Sequence, residues 1–325
     1  MEKKKVVVVE HIDESGIKVL EESDLAEIIY YDGLKSLGTY LKDLKSAHAL
    51  LVRITELNGE MIRSAEHLKI ISKHGVGFDN IDMPAATERK IPVTITPGAN
   101  SDAVAEHALA MMLSLARNIR SADTDLKNQR FKNRQDYIGV ELGGKTVGII
   151  GLGRIGTRVS LKCSQAFNMR VLTYDPFISP EYAGRFGAEW VDNLETILTT
   201  ADFVTFHCPL SHLTEHMIDA DHLKMMKKTA FIINTARGGI INESTLFKAL
   251  KENWIGGAAL DVFVKEPARP HENPLLSLDN VLVTPHLAGS TKESGIKMAV
   301  MAAEEIVRVL SGEKPKNPIN PEIYG

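Results

Sequence analysis

The 325-residue chain predicts an α/β protein built from two doubly wound parallel sheets. Three observations carry that prediction. The length suits about two domains. Short apolar runs of strand size alternate with helix-sized stretches along most of the chain, which favours parallel strands with helices on both sides. In the second half, successive strand candidates each end in polar residues, as they do where an open sheet binds ligands at its carboxyl edge.

Residues 1–98 read as the smaller unit. Its strand candidates are Lys5–Glu10, Ile28–Tyr31, Ala49–Ile54, Leu68–Lys73 and Val93–Ile95. Its helix candidates are Gly16–Glu21, Leu34–Leu44, Asn58–Ser64 and Pro84–Arg89. The four valines after Lys5 are too short for a signal-peptide core. In His74-Gly-Val-Gly-Phe-Asp79, Gly75 and Gly77 either turn backbone N–H groups outward as an anion nest or serve a tight loop. Arg53, at a strand end, is either an anion ligand or a surface charge.

Pro97-Gly98 then breaks the chain, and Ser101 or Asp102 caps a long helix near 101–120. Apolar residues surround this helix almost completely, so it is buried on more than one side, between domains or between subunits. Its uncharged core, Ala108–Ala116, is half a membrane span and belongs inside protein.

Lys145–Pro176 organises the second unit. Val147, Ile149 and Ile150 form a buried strand, and Gly151, Gly153 and Gly156 follow as G-x-G-x-x-G. These glycines permit the tight turn, the approach of a pyrophosphate and the close packing of helix on strand. Ile155, Val159, Cys163 and Ala166 share one helix face. The next strand ends at Asp175, 19 positions after Gly156, about where a ribose-binding acid belongs. Its charge would repel a 2′-phosphate, so this Rossmann-like unit is expected to take NAD rather than NADP.

Four more strands follow. Phe203–Phe206 leads to His207-Cys208-Pro209, and Ala230–Asn234 to Thr235-Ala236-Arg237. Gly257–Leu260 ends in Asp261, and Val281–Val283 leads to Thr284-Pro-His286. Arg237 could bind a carboxylate in two-pronged fashion, or be a surface charge or phosphate ligand. His286 is a candidate acid/base or an ordinary histidine. Glu266 could orient that imidazole, or be a solvated loop residue. A last helix spans about Thr291–Leu310, with a polar tail at 311–325 suited to cover the first unit.

Composition bounds the partners. Hydrophobic residues make up 44% and charged residues 25%, ordinary for a globular protein, and the net charge of −4 offers no bulk cationic field for nucleic acid. The basic runs at Lys3–Lys5 and Lys224–Lys228 are short and read as solvated surface. Two cysteines, Cys163 and Cys208, without a C-x-x-C neighbour fit a reducing cytoplasm. No metal site and no membrane partner are expected.

TARGGIINE, DVFVKEP and TPHLAGS resemble signatures of the D-2-hydroxyacid dehydrogenases. GLGRIG and TYDP are similar to that family's cofactor motifs, and HGVGFDNID and PGANSDAVAEHALAMML to its substrate loop and interdomain helix. The resemblance covers about residues 45–310 and looks strongest toward the phosphoglycerate dehydrogenase and hydroxypyruvate reductase branch. It implies a discontinuous, flavodoxin-like substrate domain (1–99 and 292–325), an NAD-binding Rossmann domain (100–291) and an active site in the cleft between them. It implies His286 as acid/base, Glu266 as its partner and Arg237 as substrate anchor. Gly151, Gly153, Arg154, Ile155, Gly156, Asp175, His207, Pro209, Thr235, Ala236, Arg237, Asp261, His286 and Gly289 would contact NAD. Arg53, His74, Val76, Gly77, Asn100 and Arg237 would contact a small 2-oxo or 2-hydroxy acid, and the long helix would support a homodimer.

Two departures bear on whether phosphoglycerate is the substrate. Arg53 is followed by Ile54-Thr55-Glu56 where a small polar Ser is usual, and His74 stands where a small or apolar residue is commoner. With 325 residues the regulatory extension of longer phosphoglycerate dehydrogenases is not expected, nor feedback inhibition through it. A corepressor-like NAD(H)-sensing protein on the same fold is the alternative. A formate dehydrogenase-type enzyme is disfavoured, since that group usually has Gln at the position of Glu266.

Overall fold

The computed structural model describes residues 3–31 and 37–325, with the side chains of 37–40 outside the description. The first elements are β1 (Lys4–Val8), α1 (Glu14–Glu22), β2 (Ala26–Tyr30), α2 (Leu37–Leu44), β3 (Ala49–Val52), α3 (Gly59–Ser64), β4 (Ile70–Lys73), α4 (Met83–Glu88) and β5 (Val93–Thr94). Then come α5 (Ser101–Ala116), α6 (Ile119–Lys127), β6 (Thr146–Ile150), α7 (Arg154–Leu161), β7 (Arg170–Tyr174), α8 (Pro180–Gly184), β8 (Glu189–Trp190), α9 (Leu194–Thr200) and β9 (Phe203–Phe206). The chain finishes with α10 (Ala220–Met225), β10 (Phe231–Asn234), α11 (Glu243–Lys251), β11 (Gly257–Leu260), β12 (Val281–Val283) and α12 (Lys292–Leu310). The start predicted for α2, Leu34 to Lys35 and Ser36, lies outside the described residues.

Two compact units result, one from residues 1–100 with 290–325 and one from 101–289. The first holds a five-stranded sheet of order β2-β1-β3-β4-β5, in which every pairing is parallel. The valine run of β1 explains why it sits inside. Val6 and Val8 pack with Leu20 of α1 and with Ala299, Ala302 and Ile306 of α12. Val7 and Val9 pack on the other face with Met61 and Ile62 of α3 and Ala85 and Ala86 of α4. Alternation of period two thus feeds two cores, as a sheet covered on both sides requires.

Short polar residues start the helices of this unit. The side chains of Asp13, Asn58, Asp82 and Thr291 accept backbone N–H groups at the first turns of α1, α3, α4 and α12. The tail closes the edge at β5, where Asn320, 1% exposed, accepts the Val93 N–H and donates to the Ile91 carbonyl.

The second unit holds a seven-stranded parallel sheet of order β12-β11-β10-β9-β6-β7-β8. The order reverses between β6 and β9, the switch point at which open α/β sheets bind ligands. Ile150, Val204, Phe206, Ile232 and Leu260 face one core with Leu198 of α9, Leu223 of α10 and Leu246 of α11. Val147, Ile149, Phe203, Ile233 and Ala259 face the other with Ala108, Met112 and Val159 of α5 and α7.

The long apolar run is shorter than its sequence suggests. It ends at Ala116, and Asn118, at φ 53°, turns the chain into α6. Asn is one of the few residues that tolerate this left-handed conformation. Cys163 is fully buried, and burial pushes its thiol up to about 12. No described helix is long and apolar enough to cross a membrane.

Candidate active site

The glycine turn follows β6. Gly151 sits at φ 91°, and a Cβ there would lie 2.8 Å from the Cys208 nitrogen and 2.9 Å from the His207 carbonyl carbon. Only glycine lets the turn pass this close to the chain leaving β9. Gly153 then caps α7 with no side chain, so the first N–H groups of α7 are left to an external anion. Asp175, at the end of β7, accepts the Leu152 N–H at 2.9 Å through Oδ2 and the Phe177 N–H at 3.0 Å through Oδ1. It therefore braces the glycine turn and remains partly exposed. Arg154 is exposed and Ile155 half-buried; Pro209 is exposed.

The next two strand ends carry unpaired polar atoms. Among the described residues, His207 Nδ1 and Thr235 Oγ1 are buried without a hydrogen-bond partner. His207 Nε2 lies 3.0 Å from Thr205 Oγ1, and burial pushes its pKa down to about 3, so the ring is neutral. Buried polar atoms are normally satisfied. Two orphans beside a glycine turn and an uncapped helix fit a dinucleotide with hydrogen-bonding groups along its length.

Beyond β10 lies a second cluster. Asn234, 1% exposed, donates through Nδ2 to the Arg237 carbonyl at 2.9 Å and accepts the Ala236 N–H at 3.0 Å. It fixes the turn that carries Arg237, whose Nη1 donates to the Ala236 carbonyl at 2.7 Å. Gly238 presses this turn onto the segment after β11, since a Cβ there would stand 2.1 Å from the Phe263 carbonyl carbon. In that segment Glu266 accepts the Phe263 N–H at 3.0 Å through Oε1. Its Oε2 lies 2.6 Å from His286 Nδ1. A carboxylate only accepts, so Nδ1 carries the proton and Nε2 is the nitrogen that exchanges one. Burial raises the Glu266 pKa, but hydrogen bonds from His286 and Phe263 and the charges of His286 and Arg237 outweigh it, and the net shift is downward.

His286 stands in the left-handed region at φ 50°, a conformation costing of order 1–3 kcal/mol unless its surroundings enforce it. Its N–H donates to the Asp261 carbonyl at 2.7 Å. The Asp261 carboxylate, fully buried, accepts Thr284 Oγ1–H at 2.6 Å and the N–H groups of Leu287 and Ala288 at 2.9 Å each. Asp261, expected at the cofactor, thus commits its carboxylate to the turn bearing His286. Gly289 follows that turn, half-buried.

The residues expected at the substrate lie in the first unit. Arg53 is exposed after β3, and the Glu10 carboxylate holds its loop by accepting the N–H groups of Arg53 at 2.7 Å, Ile54 at 2.8 Å and Thr55. His74 is buried after β4 and neutral, its pKa pushed down to about 4 by burial first and then by the Arg53 charge. Gly75, at φ 140°, has its N–H bound to Thr96 Oγ1 at 3.1 Å, so it is not an open donor. Among the described residues the N–H groups of Val76 and Gly77 have no acceptor. Asn100 Oδ1 is buried and also lacks a partner among them.

Sequence reasoning passed over Asn234 and Glu10. The signal for each was a polar residue closing an apolar strand, which also describes many idle surface positions.

Comparison with known proteins agrees with this geometry. Residues 109–288 match the family model of the D-isomer specific 2-hydroxyacid dehydrogenase, NAD binding domain. The chain is 45% identical over 317 residues, 97% of its length, to a D-3-phosphoglycerate dehydrogenase of Methanocaldococcus jannaschii, of which it spans only 59%. It is 37% identical to a glyoxylate reductase of Korarchaeum cryptofilum, over 99% of this chain and 97% of that one. A crystal structure of D-lactate dehydrogenase from Aquifex aeolicus, complexed with NAD and lactic acid, superposes with a TM-score of 0.85 at 28% identity, covering 97% and 99% of the two chains. The chain belongs to the family of D-isomer specific 2-hydroxyacid dehydrogenases.

Proposed function

We propose that the protein is an NAD-dependent oxidoreductase interconverting a small D-2-hydroxy acid and its 2-oxo acid. The observation that carries this reading is the Glu266–His286 pair beside the Arg237 turn, on the same sheet edge as the glycine turn. Arg237 would hold the acid's carboxylate and polarise the neighbouring carbonyl. His286, protonated, would donate from Nε2 to the oxygen that gains charge, while Glu266 holds the ring and balances its charge. When bound, NADH supplies the hydride that reduces the carbonyl carbon. We assign Arg53, His74, Val76, Gly77 and Asn100 to substrate binding, with the Val76 and Gly77 N–H groups on a carboxylate. A turnover screen of 2-oxo acids with NADH and NADPH tests the reading. Glyoxylate and the 3-phosphate of hydroxypyruvate, matching the activities for which the relatives are named, are the first substrates, with hydroxypyruvate itself beside them. Failure of all of them would overturn it.

Two effects follow from single charges. Asp175→Ser is expected to raise the NADPH-to-NADH ratio of kcat/KM by about tenfold or more, because like charges in close contact cost several kcal/mol. Steady-state kinetics with both cofactors check this. Glu266, with its lowered pKa, is ionised at neutral pH. Its support of His286 is complete above the ordinary glutamate range and is lost as pH falls through the depressed value. Glu266→Gln removes that charge, so turnover falls about tenfold and the pH–rate profile moves toward acid. A profile that stays in place would contradict the pairing.

We further propose a homodimer. None of the α6 residues is buried, and Ile119, Leu126, Phe131 and Ile138 expose 54%, 67%, 45% and 70% of their surface in and after it. Sedimentation equilibrium of the protein and of Leu126→Glu tests this, the variant being expected to dissociate. The two unpaired cysteines agree with a reducing cytoplasm.

A further inference from the structure

His107 lies on α5, in the middle of the apolar run, and the chemistry proposed above does not use it. Its Nε2 stands 3.1 Å from Thr284 Oγ1 and 3.7 Å from Asp261 Oδ1. The direction of the first contact follows from the second partner of the hydroxyl. Thr284 Oγ1 lies 2.6 Å from Asp261 Oδ1, and a carboxylate only accepts, so the hydroxyl proton points at Asp261. The hydroxyl oxygen is then an acceptor toward His107, and Nε2 must carry a proton. The result is a directed chain from the His107 Nε2–H to the Thr284 oxygen and from the Thr284 proton to the buried Asp261 carboxylate. That carboxylate also takes the N–H groups of Leu287 and Ala288. His286 sits between these anchored residues in a left-handed conformation, which persists only where neighbours over-determine it.

We infer that His107 is a positioning residue for His286: its Nε2–H orients the Thr284 hydroxyl so that the Asp261 carboxylate holds both flanks of the turn bearing the imidazole. The role does not reach the reacting atoms directly. α5 is suited to it because Ala105, Ala108, Leu109, Met111 and Met112 are buried in the core beneath β10–β12, which fixes the helix and therefore the ring. The inference rests on His286 acting as acid/base, so its test needs a readout that does not depend on turnover.

The test compares His107→Leu, which removes the donor, with His107→Gln, whose side-chain amide offers an N–H at nearly the same place. Thr284→Val and Thr284→Ser make the same comparison one link along. Loss of the donor is expected to lower kcat about 10- to 100-fold, the scale of a catalytic group displaced by about 1 Å. KM for the 2-oxo acid and binding of NADH, followed by its fluorescence, should change little. Gln and Ser should recover most of the loss. Crystal structures supply the independent readout: His107→Leu should separate His286 Nδ1 from Glu266 beyond hydrogen-bond reach, and His107→Gln should keep them paired. Equal kcat in all four variants with an unmoved His286 overturns the inference. So does an equal loss in His107→Gln and His107→Leu, or a loss of NADH binding in step with kcat. If His107→Leu does not fold, the Thr284 pair decides by the same criteria. If the unmodified protein turns over none of the 2-oxo acids, the functional reading fails, and the two His107 structures still judge the positioning.

Discussion

Exchange of His286 for alanine is expected to cut turnover roughly 10²- to 10⁴-fold, the usual contribution of a positioned general acid. NADH binding should survive, because the glycine turn, Asp175 and the uncapped end of α7 lie at β6 and β7, whereas His286 follows β12. Single-turnover kinetics and a fluorescence titration with NADH separate the two. The size of the effect follows from the geometry at Nδ1. With Glu266 accepting that proton, Nε2 alone exchanges one, and no other described imidazole is paired with Glu266. Residual activity near that of the unmodified protein would remove His286 from the mechanism.

Arg237→Lys should lower kcat/KM for the 2-oxo acid about 10- to 100-fold. An ammonium cannot reproduce a planar fork on a carboxylate, and hydrogen bonds to charged groups contribute about 1.5–3 kcal/mol. The turn itself should hold, because Asn234 and the close approach of Gly238 to Phe263 fix its backbone without the Arg237 side chain. The loss should therefore appear in kinetics with no fall in melting temperature. A parallel loss of stability would instead mean that the guanidinium holds the turn together.

Much of this arrangement is legible in the sequence because strand and helix repeats are strong local signals. The valines of β1, the glycines after β6 and the alternation beyond Pro176 place two parallel sheets, and both are present. Boundaries were less legible. The predicted strand Lys5–Glu10 stops at Val8, so that Glu10 turns back to the Arg53 loop. The helix predicted to run to about 120 breaks at Asn118, and the two-residue β8 is too short to leave a periodic trace. Pairings across long separations were not legible at all. Asp261 with Thr284, Asp261 with His107 and Thr284 with His107 join residues 23, 154 and 177 positions apart, and no local rule connects them.

The first unit is finished by its last piece. The helix α12 covers Val6, Val8, Leu51 and Ile70, and the tail around Asn320 seals β5, yet both are encoded after the 189 residues of the other unit. During synthesis at about 5–20 residues per second, the nascent strands wait roughly 10–40 s for that cover. The chain leaving the ribosome therefore holds a bare apolar face through much of its birth. The unit encoded in the middle of the chain is complete before the one built from its two ends can close, and a message cut short before α12 is expected to yield a product for chaperones and proteases rather than a smaller working protein.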